Sequence, residues 1–375
     1  MKRLLLLGGG HAHLAVLASL AREPVPGLAV QLVTPLPQAL YSGMVPGWVA
    51  GHYDLAECSI DLRSLAGAAR AELRLARAIA IDANTRLVGL DVGGTAAYDV
   101  LSVDIGSLAA SGAAQGVRSH AIAVRPLEGF VEGWEHVLGE ALAGRVRSLA
   151  IVGGGAAGVE LALAMAHRLR REARGSPPHV RLVTDGADVL PGYPGLARWL
   201  LRRRLAAAGI GVHRHCAVRE VGPNFLRVGD GITFDNDATF WAAGAAAHAF
   251  LRASGLQVDE RGFIAVNAGQ QSVSHPEVFA AGDCATRVDD PLPKSGVYAV
   301  RAGPALAANL KAFIAGEPLR PHRPQRLHLS LLAAGNGSAV GAWGPASFAG
   351  HWAWRWKDRI DRAFIGRYAA TPPPR

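Results

Sequence analysis

Two short segments constrain this chain more than anything else in it. Residues 3–7 form an apolar run that meets Gly8-Gly9-Gly10, and residues 148–152 form another that meets Gly153-Gly154-Gly155. Each is followed by helical spacing, over 11–21 and 156–171, and then by a further apolar run, 28–34 and 180–184. Strand, tight turn, helix and strand make a βαβ unit. The two copies begin 145 positions apart, and the chain of 375 residues has room for two cores. The expected class is α/β, with two Rossmann-like, doubly wound domains.

The turns carry chemistry as well as geometry. Gly153-x-Gly155-x-x-Gly158 is intact. Its first glycine permits the turn, its second lets backbone approach a pyrophosphate, and its third lets helix pack on strand. Ala156 and Ala157 then open a helix whose free N–H groups and positive potential suit phosphates. Gly8-x-Gly10-x-x-His13 has a histidine at the third position, so a looser helix–strand contact is expected there. His11 and Ala12 open that helix. An acid usually ends the second strand and holds the adenosine ribose. Here Thr34 ends one such strand, and Thr184-Asp185 ends the other. NADH and NADPH both stay open: Asp185 favours a free ribose, whereas Arg203 and Arg204 offer charge to a 2′-phosphate. Glu160 either faces a nicotinamide or is a carboxylate favoured by the helix N-terminus.

Between the loops, 76–82 and 86–92 are expected as meander strands and 98–105 as another strand. Residues 125–128 read as a crossing, with a helix over 129–142. After the second loop come a helix over 197–208, a strand over 211–214, and a hairpin of 218–228 with 233–240. Trp241 to Gly244 reads as the return, followed by a strand over 277–281 and a helix over 297–315. The first domain is thus expected to be discontinuous, 1–124 and 242–318, with a second inserted at 125–241 and a small C-terminal segment at 319–375.

No apolar run reaches the 18 or so residues of a membrane span, and the four leucines after Lys2-Arg3 are too few for a signal peptide. A cytoplasmic location is expected, with peripheral attachment to the cytoplasmic membrane face as a variant. Cys58, Cys216 and Cys284 show neither disulfide nor metal-ligand spacing. Of the net charge of +9, residues 319–375 hold +7, with nine Lys/Arg against two Asp/Glu, and four of the eight tryptophans. Trp352, Trp356, Ile360 and Phe364 recur every four residues and are expected on one helix face, with Arg355, Lys357, Arg359 and Arg362 on others. Such a stripe fits an anionic membrane surface, and equally its own core or a homodimer partner. No nucleic-acid motif accompanies the charge, and nucleic acid is not expected.

The segment His275-Pro276-Glu277-Val278-Phe279-Ala280-Ala281-Gly282-Asp283-Cys284 resembles the second FAD motif of the pyridine-nucleotide-disulfide oxidoreductase superfamily. Residues 99–107 and 239–244 resemble its two chain crossings. Within it the chain is similar to type II NADH dehydrogenase-like proteins, and more narrowly to flavoproteins fused to, or encoded beside, selenide water dikinase. The narrower likeness rests on Gly8-Gly9-Gly10-His11-Ala12-His13-Leu14, Tyr41-Ser42-Gly43-Met44-Val45-Pro46-Gly47, residues 293–301 and residues 354–362.

The resemblance implies FAD against Gly8, Gly10, His11, Ala12, Thr34, Ser42, Gly43, Gly282, Asp283, Lys294 and Ser295. Asp283 would meet the ribityl or nearest phosphate region, and the loop from Tyr41 to Pro46 would line the flavin. It implies NADH or NADPH against Gly153, Gly155, Ala156, Ala157, Gly158, Glu160, Thr184, Asp185 and Gly244. Hydride would pass to the flavin N5 with no side-chain acid or base, and electrons would then go to a small-molecule acceptor. The C-x4-C pair of disulfide reductases is missing, as are the flavin-flanking cysteines of sulfide:quinone oxidoreductases. Lys294 and Ser295 replace quinone-site glutamines, which leaves the acceptor open. A flavin-binding regulatory or scaffold protein, and a reductase of a selenium or sulfur species, are the rival expectations.

Overall fold

The computed structural model describes residues 1–369 apart from 174, 230 and 326. Lys2–Leu7 is a strand whose four leucines are all buried. A strand hydrophobic on both faces belongs inside a parallel sheet covered by helices. It lies between Leu28–Thr34 and Val100–Val103, in a sheet ordered Val278–Ala280, Val100–Val103, Lys2–Leu7, Leu28–Thr34, Ala71–Leu75. A second sheet repeats the plan: Ala121–Ala123, Ala238–Trp241, Ser148–Val152, His179–Val183, Gly211–His213. Every pairing within these two sheets is parallel. In each, the strand before the glycine turn has its successor on one side and a strand from far along the chain on the other. That reversal of strand order opens the crevice where open α/β sheets bind ligands.

The helices His11–Arg22 and Ala156–Glu172 follow the two turns. Against the first runs the long helix Gly296–Ala315, whose Gly303 sits against Ala12 and Ala15. Two antiparallel meanders are appended: Ala78–Asp82, Leu87–Leu90 and Thr95–Ala97, and Val218–Val221, Phe225–Val228 and Ile232–Asp235. The expected hairpin of 218–228 with 233–240 is therefore replaced: 218–228 is itself a hairpin of two strands, and 233–240 is split between two more. Asn236 and Asp237 break it: Asn236 is buried and bonds Thr239 at 2.8 Å, while Asp237 accepts from the amides of Arg147 and Ser148 at 2.7 and 2.9 Å. Residues 238–241 thereby enter the parallel sheet.

The C-terminal segment is a three-stranded antiparallel sheet, Leu329–Ala333, Ala339–Trp343 and Ala346–Gly350, followed by the helix His351–Tyr368. Residues 326 and 370–375 of the expected segment lie outside the described residues. The expected four-residue stripe does not hold together. Trp352, Trp356 and Ile360 are 49, 37 and 41% exposed, but Phe364 is buried. Each four-residue step overshoots a full helical turn by about 40°, so three steps rotate the stripe by about a third of a turn. The face that does enter the core is Ala353, Lys357, Asp361, Phe364 and Tyr368. Lys357, expected among the charges of the other faces, is buried.

Candidate dinucleotide site

The second glycine loop is the simpler. Gly153 N–H donates to the Val183 carbonyl, and Ala242 N–H donates to the Val152 carbonyl, each at 2.8 Å. Gly153 holds φ +126°, which L side chains rarely adopt. A side chain at Gly158 would overlap the Gly153 carbonyl, so this glycine is fixed by the helix–strand contact. Nothing lies within 4 Å of where a Cβ on Gly155 would stand. The helix N-terminus at Ala156 and Ala157 is thus open to an incoming anion. Thr184 is buried, its hydroxyl 2.6 Å from where a Cβ on Gly154 would stand. Asp185 beside it is exposed. Arg198 and Arg202 bind Asp188 at 2.5 and 2.7 Å, and Arg203 stacks 4.8 Å over Trp199. Gly244, at φ +59°, turns the crossing strand away beside Ala110.

The first loop is built on the same frame. Gly8 N–H donates to the Val33 carbonyl and Asp104 N–H donates to the Leu7 carbonyl, again at 2.8 Å. Thr34 is buried below Gly9, as Thr184 is below Gly154. Two side chains then set the loops apart. At the third glycine position stands fully buried His13, whose Nδ1 lies 2.6 Å from the Gly8 carbonyl and Nε2 2.8 Å from Ser102 Oγ. A carbonyl only accepts, so Nδ1 carries the hydrogen and Nε2 accepts from the serine hydroxyl. The ring is neutral, and burial lowers its pKa to about 4. The imidazole thus occupies the space that direct helix–strand contact fills at Gly158.

The second difference is Asp104. Its frame position matches Ala242, yet its carboxylate reaches the N-terminus of the helix His11–Arg22. It accepts from the amides of Ala12 and His13 at 2.7 and 3.1 Å. A methyl group on Gly10 would overlap this carboxyl, and one on Gly282 would stand 2.6 Å from it. Burial pushes its pKa up to about 7, against the two amide bonds and with Asp283 adding repulsion. Residue 104 looked like the end of a strand; setting its crossing beside that of Ala242 is the signal that singles it out.

The remaining expected residues converge only in part. Gly282 takes φ +70° directly after Val278–Ala280. Asp283 is held by Arg125 at 2.8 Å, and Arg125 also donates to Ser107 at 2.9 Å. Lys294 is committed elsewhere: it donates to the Ala285 carbonyl and to Thr286 Oγ1, and sits 4.1 Å over the Phe263 ring. Ser42 lies beside Gly296, which follows Ser295: its Oγ is 2.9 Å from where a Cβ on Gly296 would stand. His11 Nε2 is buried without a hydrogen-bond partner among the described residues. The turn glycines and this orphaned nitrogen fit a flavin dinucleotide, and Asp104 is the one group at odds with its phosphates.

The C-terminal helix closes over the Tyr41–Gly47 loop, which sequence patterning had not placed there. Lys357 Nζ donates to the Gly43 carbonyl and to Asp361 Oδ2, both at 2.6 Å. Tyr41 stacks on Phe364 with centroids 4.2 Å apart. Glu160 accepts from Ala333 N–H at 2.7 Å. Burial pushes its pKa up to about 7, and Lys357 acts in the opposite direction. The signal for the Lys357–Asp361 pair was its four-residue spacing, which is equally common on solvated faces.

A family model, pyridine nucleotide-disulphide oxidoreductase, matches residues 2–303. The chain belongs to that family. It is an oxidoreductase, a flavoprotein working with FAD and NAD(P)H. It is 27% identical over 301 residues to a NADH dehydrogenase-like protein of Mycobacterium tuberculosis, across 77% of this chain and 74% of the relative. It is 29% identical over 254 residues to the demethylphylloquinone reductase of Synechocystis, across 65% of this chain and 61% of the relative. The fold matches the NDH2 of Plasmodium falciparum in complex with NADH, with TM-score 0.83, 13% identity and 99% of each chain covered. The narrower likeness to flavoproteins associated with selenide water dikinase is carried by none of these.

Proposed function

We propose that this chain oxidises NAD(P)H, with FAD on the first glycine loop and the pyridine nucleotide on the second, and that a quinone receives the electrons. The observation carrying the division of labour is the open N-terminus at Gly155, set against the Gly282–Asp283 turn, whose Gly282 lies beside Asp104 at the first loop. With the strand Ala121–Ala123 in the second sheet, the expected boundary at 124 moves ahead of it: 1–120 with 242–318 would form the FAD unit, 121–241 the NAD(P)H unit, and 319–375 a covering segment. The quinone follows the names of relatives, a demethylphylloquinone reductase and a type II NADH:quinone oxidoreductase among them.

FAD, when bound, supplies the redox chemistry between nicotinamide and acceptor. The chain positions and insulates. Amides at Gly155, Ala156 and Ala157 would receive the pyrophosphate of NAD(P)H, Gly153 and Gly158 hold the turn, and Gly244 clears the crossing. Thr184 and Asp185 would meet the ribose. With Asp185 exposed at the strand end and Arg203 stacked on Trp199, NADH is taken as the donor, with Arg204 left as the arginine that could meet a 2′-phosphate. Gly8, Gly10, His11, Ala12, Thr34, Gly282, Asp283, Ser42, Gly43 and Ser295 would hold the flavin nucleotide. Lys294 is committed to Ala285 and Thr286. Glu160, its pKa pushed up to about 7 by burial, would supply a proton as an acceptor is reduced.

Among the described residues no helix is long and apolar enough to cross a membrane. Exposed Trp352, Trp356 and Ile360, flanked by exposed Arg355 and Arg359, fit contact with an anionic lipid surface where a quinone would be met. Steady-state turnover with NADH tests the acceptor. Short-chain quinones are expected to support it at least tenfold better than polysulfide or selenium oxyanions, and the reverse order would replace the quinone with a chalcogen species.

A further inference from the structure

Asp104 breaks the internal symmetry of the protein at the one point where symmetry should matter. The two units agree in the donor to Val33 or Val183, in the crossing amide bonded to Leu7 or Val152, and in the threonine beneath the middle glycine. At the crossing residue one has Ala242 and the other Asp104. The consequence is direct: nothing lies within 4 Å of where a Cβ on Gly155 would stand, while the helix end at Gly10 already holds a carboxylate on two amides.

We propose that Asp104 is a resident anion which competes with the diphosphate of FAD for the N-terminus of the helix His11–Arg22, so that flavin uptake draws a proton onto this carboxyl. This rests on FAD being seated on the first loop. A diphosphate brought beside a buried carboxylate would place like charges together where little water screens them. The cheaper course is one proton from solvent onto Asp104, giving a neutral carboxylic acid beside the phosphates. Apo and flavin-loaded forms then differ by that proton, and the carboxylate keeps the helix end satisfied when the flavin is away.

The groups around Asp104 leave it as the one to titrate near neutrality. Asp283 is paired with Arg125. His11 and His13 are buried with pKa values lowered to about 4, so both are neutral. Burial pushes the Cys284 thiol up to about 12. The Lys294 ammonium is held by Ala285, Thr286 and the Phe263 ring. Asp104 itself lies at about 7, and its carboxylate form prevails above that.

The test is FAD affinity of flavin-stripped protein, read by quenching of flavin fluorescence at about pH 6 and about pH 8.5. One coupled proton makes wild-type affinity roughly tenfold weaker per pH unit above the pKa of Asp104. Asp104→Ala, which copies Ala242, and the isosteric Asp104→Asn are expected to bind FAD at least about tenfold more tightly at the higher pH, with no dependence between the two. Wild-type affinity equal at both pH values, or weaker binding by both variants, would overturn the proposal. Absence of FAD binding by wild type and variants at either pH would instead remove the assignment of FAD to this chain, and the proposal with it.

Discussion

Lys357 and Asp361 lie 2.6 Å apart, one turn apart on the C-terminal helix and 8 and 5% exposed, with the lysine also bonded to the Gly43 carbonyl. The pair ties the C-terminal helix to the Tyr41–Gly47 loop. Breaking a buried pair strands a charge and typically costs about 3–5 kcal/mol, whereas replacing both partners with apolar groups is close to neutral. Lys357→Ala is therefore expected to lower stability by about 3 kcal/mol, and Lys357→Met with Asp361→Leu by well under half of that. Urea unfolding of the three proteins checks the order.

His13 gives a pH signature. Its folded pKa of about 4 lies below the ordinary 6.5, so the unfolded chain binds the extra proton between these values. Its contribution is full above about 6.5 and is lost as pH falls toward 4, at about 1.4 kcal/mol per unit. Asp104, raised from 3.8 to about 7, has the opposite sign: it favours folding at low pH and loses that contribution as pH rises. The two nearly cancel in the wild type. Against that background, His13→Gln is expected to be destabilised most near neutrality and least near about pH 4, measured as the difference from wild type in urea midpoints.

Gly155 and Gly158 separate binding from folding. A methyl group at Gly155 meets nothing within 4 Å, so Gly155→Ala should unfold within about 0.5 kcal/mol of wild type while raising the KM for NADH about tenfold or more. Gly158→Ala forces a methyl into the Gly153 carbonyl and should cost about 2 kcal/mol or more. Thermal unfolding beside NADH kinetics reads both.

How far these features were legible in the chain follows from how local their causes are. The two loops were, because a turn with positive φ and a close helix–strand approach each demand glycine within a few residues. Buried parallel strands were, because they are apolar throughout. The strand 238–241 was merged with its neighbour because Asn236 and Asp237 break a run whose flanks both favour strand. Asp104 is legible only by comparing its crossing with that of Ala242, because its amide partners lie 91 and 92 residues earlier. Lys357 and Asp361 looked like a surface pair because only the path of the Tyr41–Gly47 loop beneath them makes their face an interior one.

Glu160 should separate the two half-reactions. It has a pKa of about 7, so its acid form prevails below neutrality and is lost above it. Glu160→Gln is expected to leave reduction of the flavin by NADH within about twofold of wild type, while cutting turnover with quinone by about tenfold or more. It should also remove the fall in kcat above about pH 7. Equal loss in both half-reactions would place Glu160 at the nicotinamide instead.

The division of labour between the loops is tested most directly by mixing the flavin-loaded protein anaerobically with NADH or NADPH and following the oxidised flavin absorbance near about 450 nm. Rapid bleaching is predicted with NADH, slower bleaching with NADPH, and bleaching slowed at sub-saturating nucleotide in Gly155→Ala while its flavin stays bound. A bound flavin that neither nucleotide reduces would contradict the account and leave a flavin-binding protein without this dehydrogenase activity.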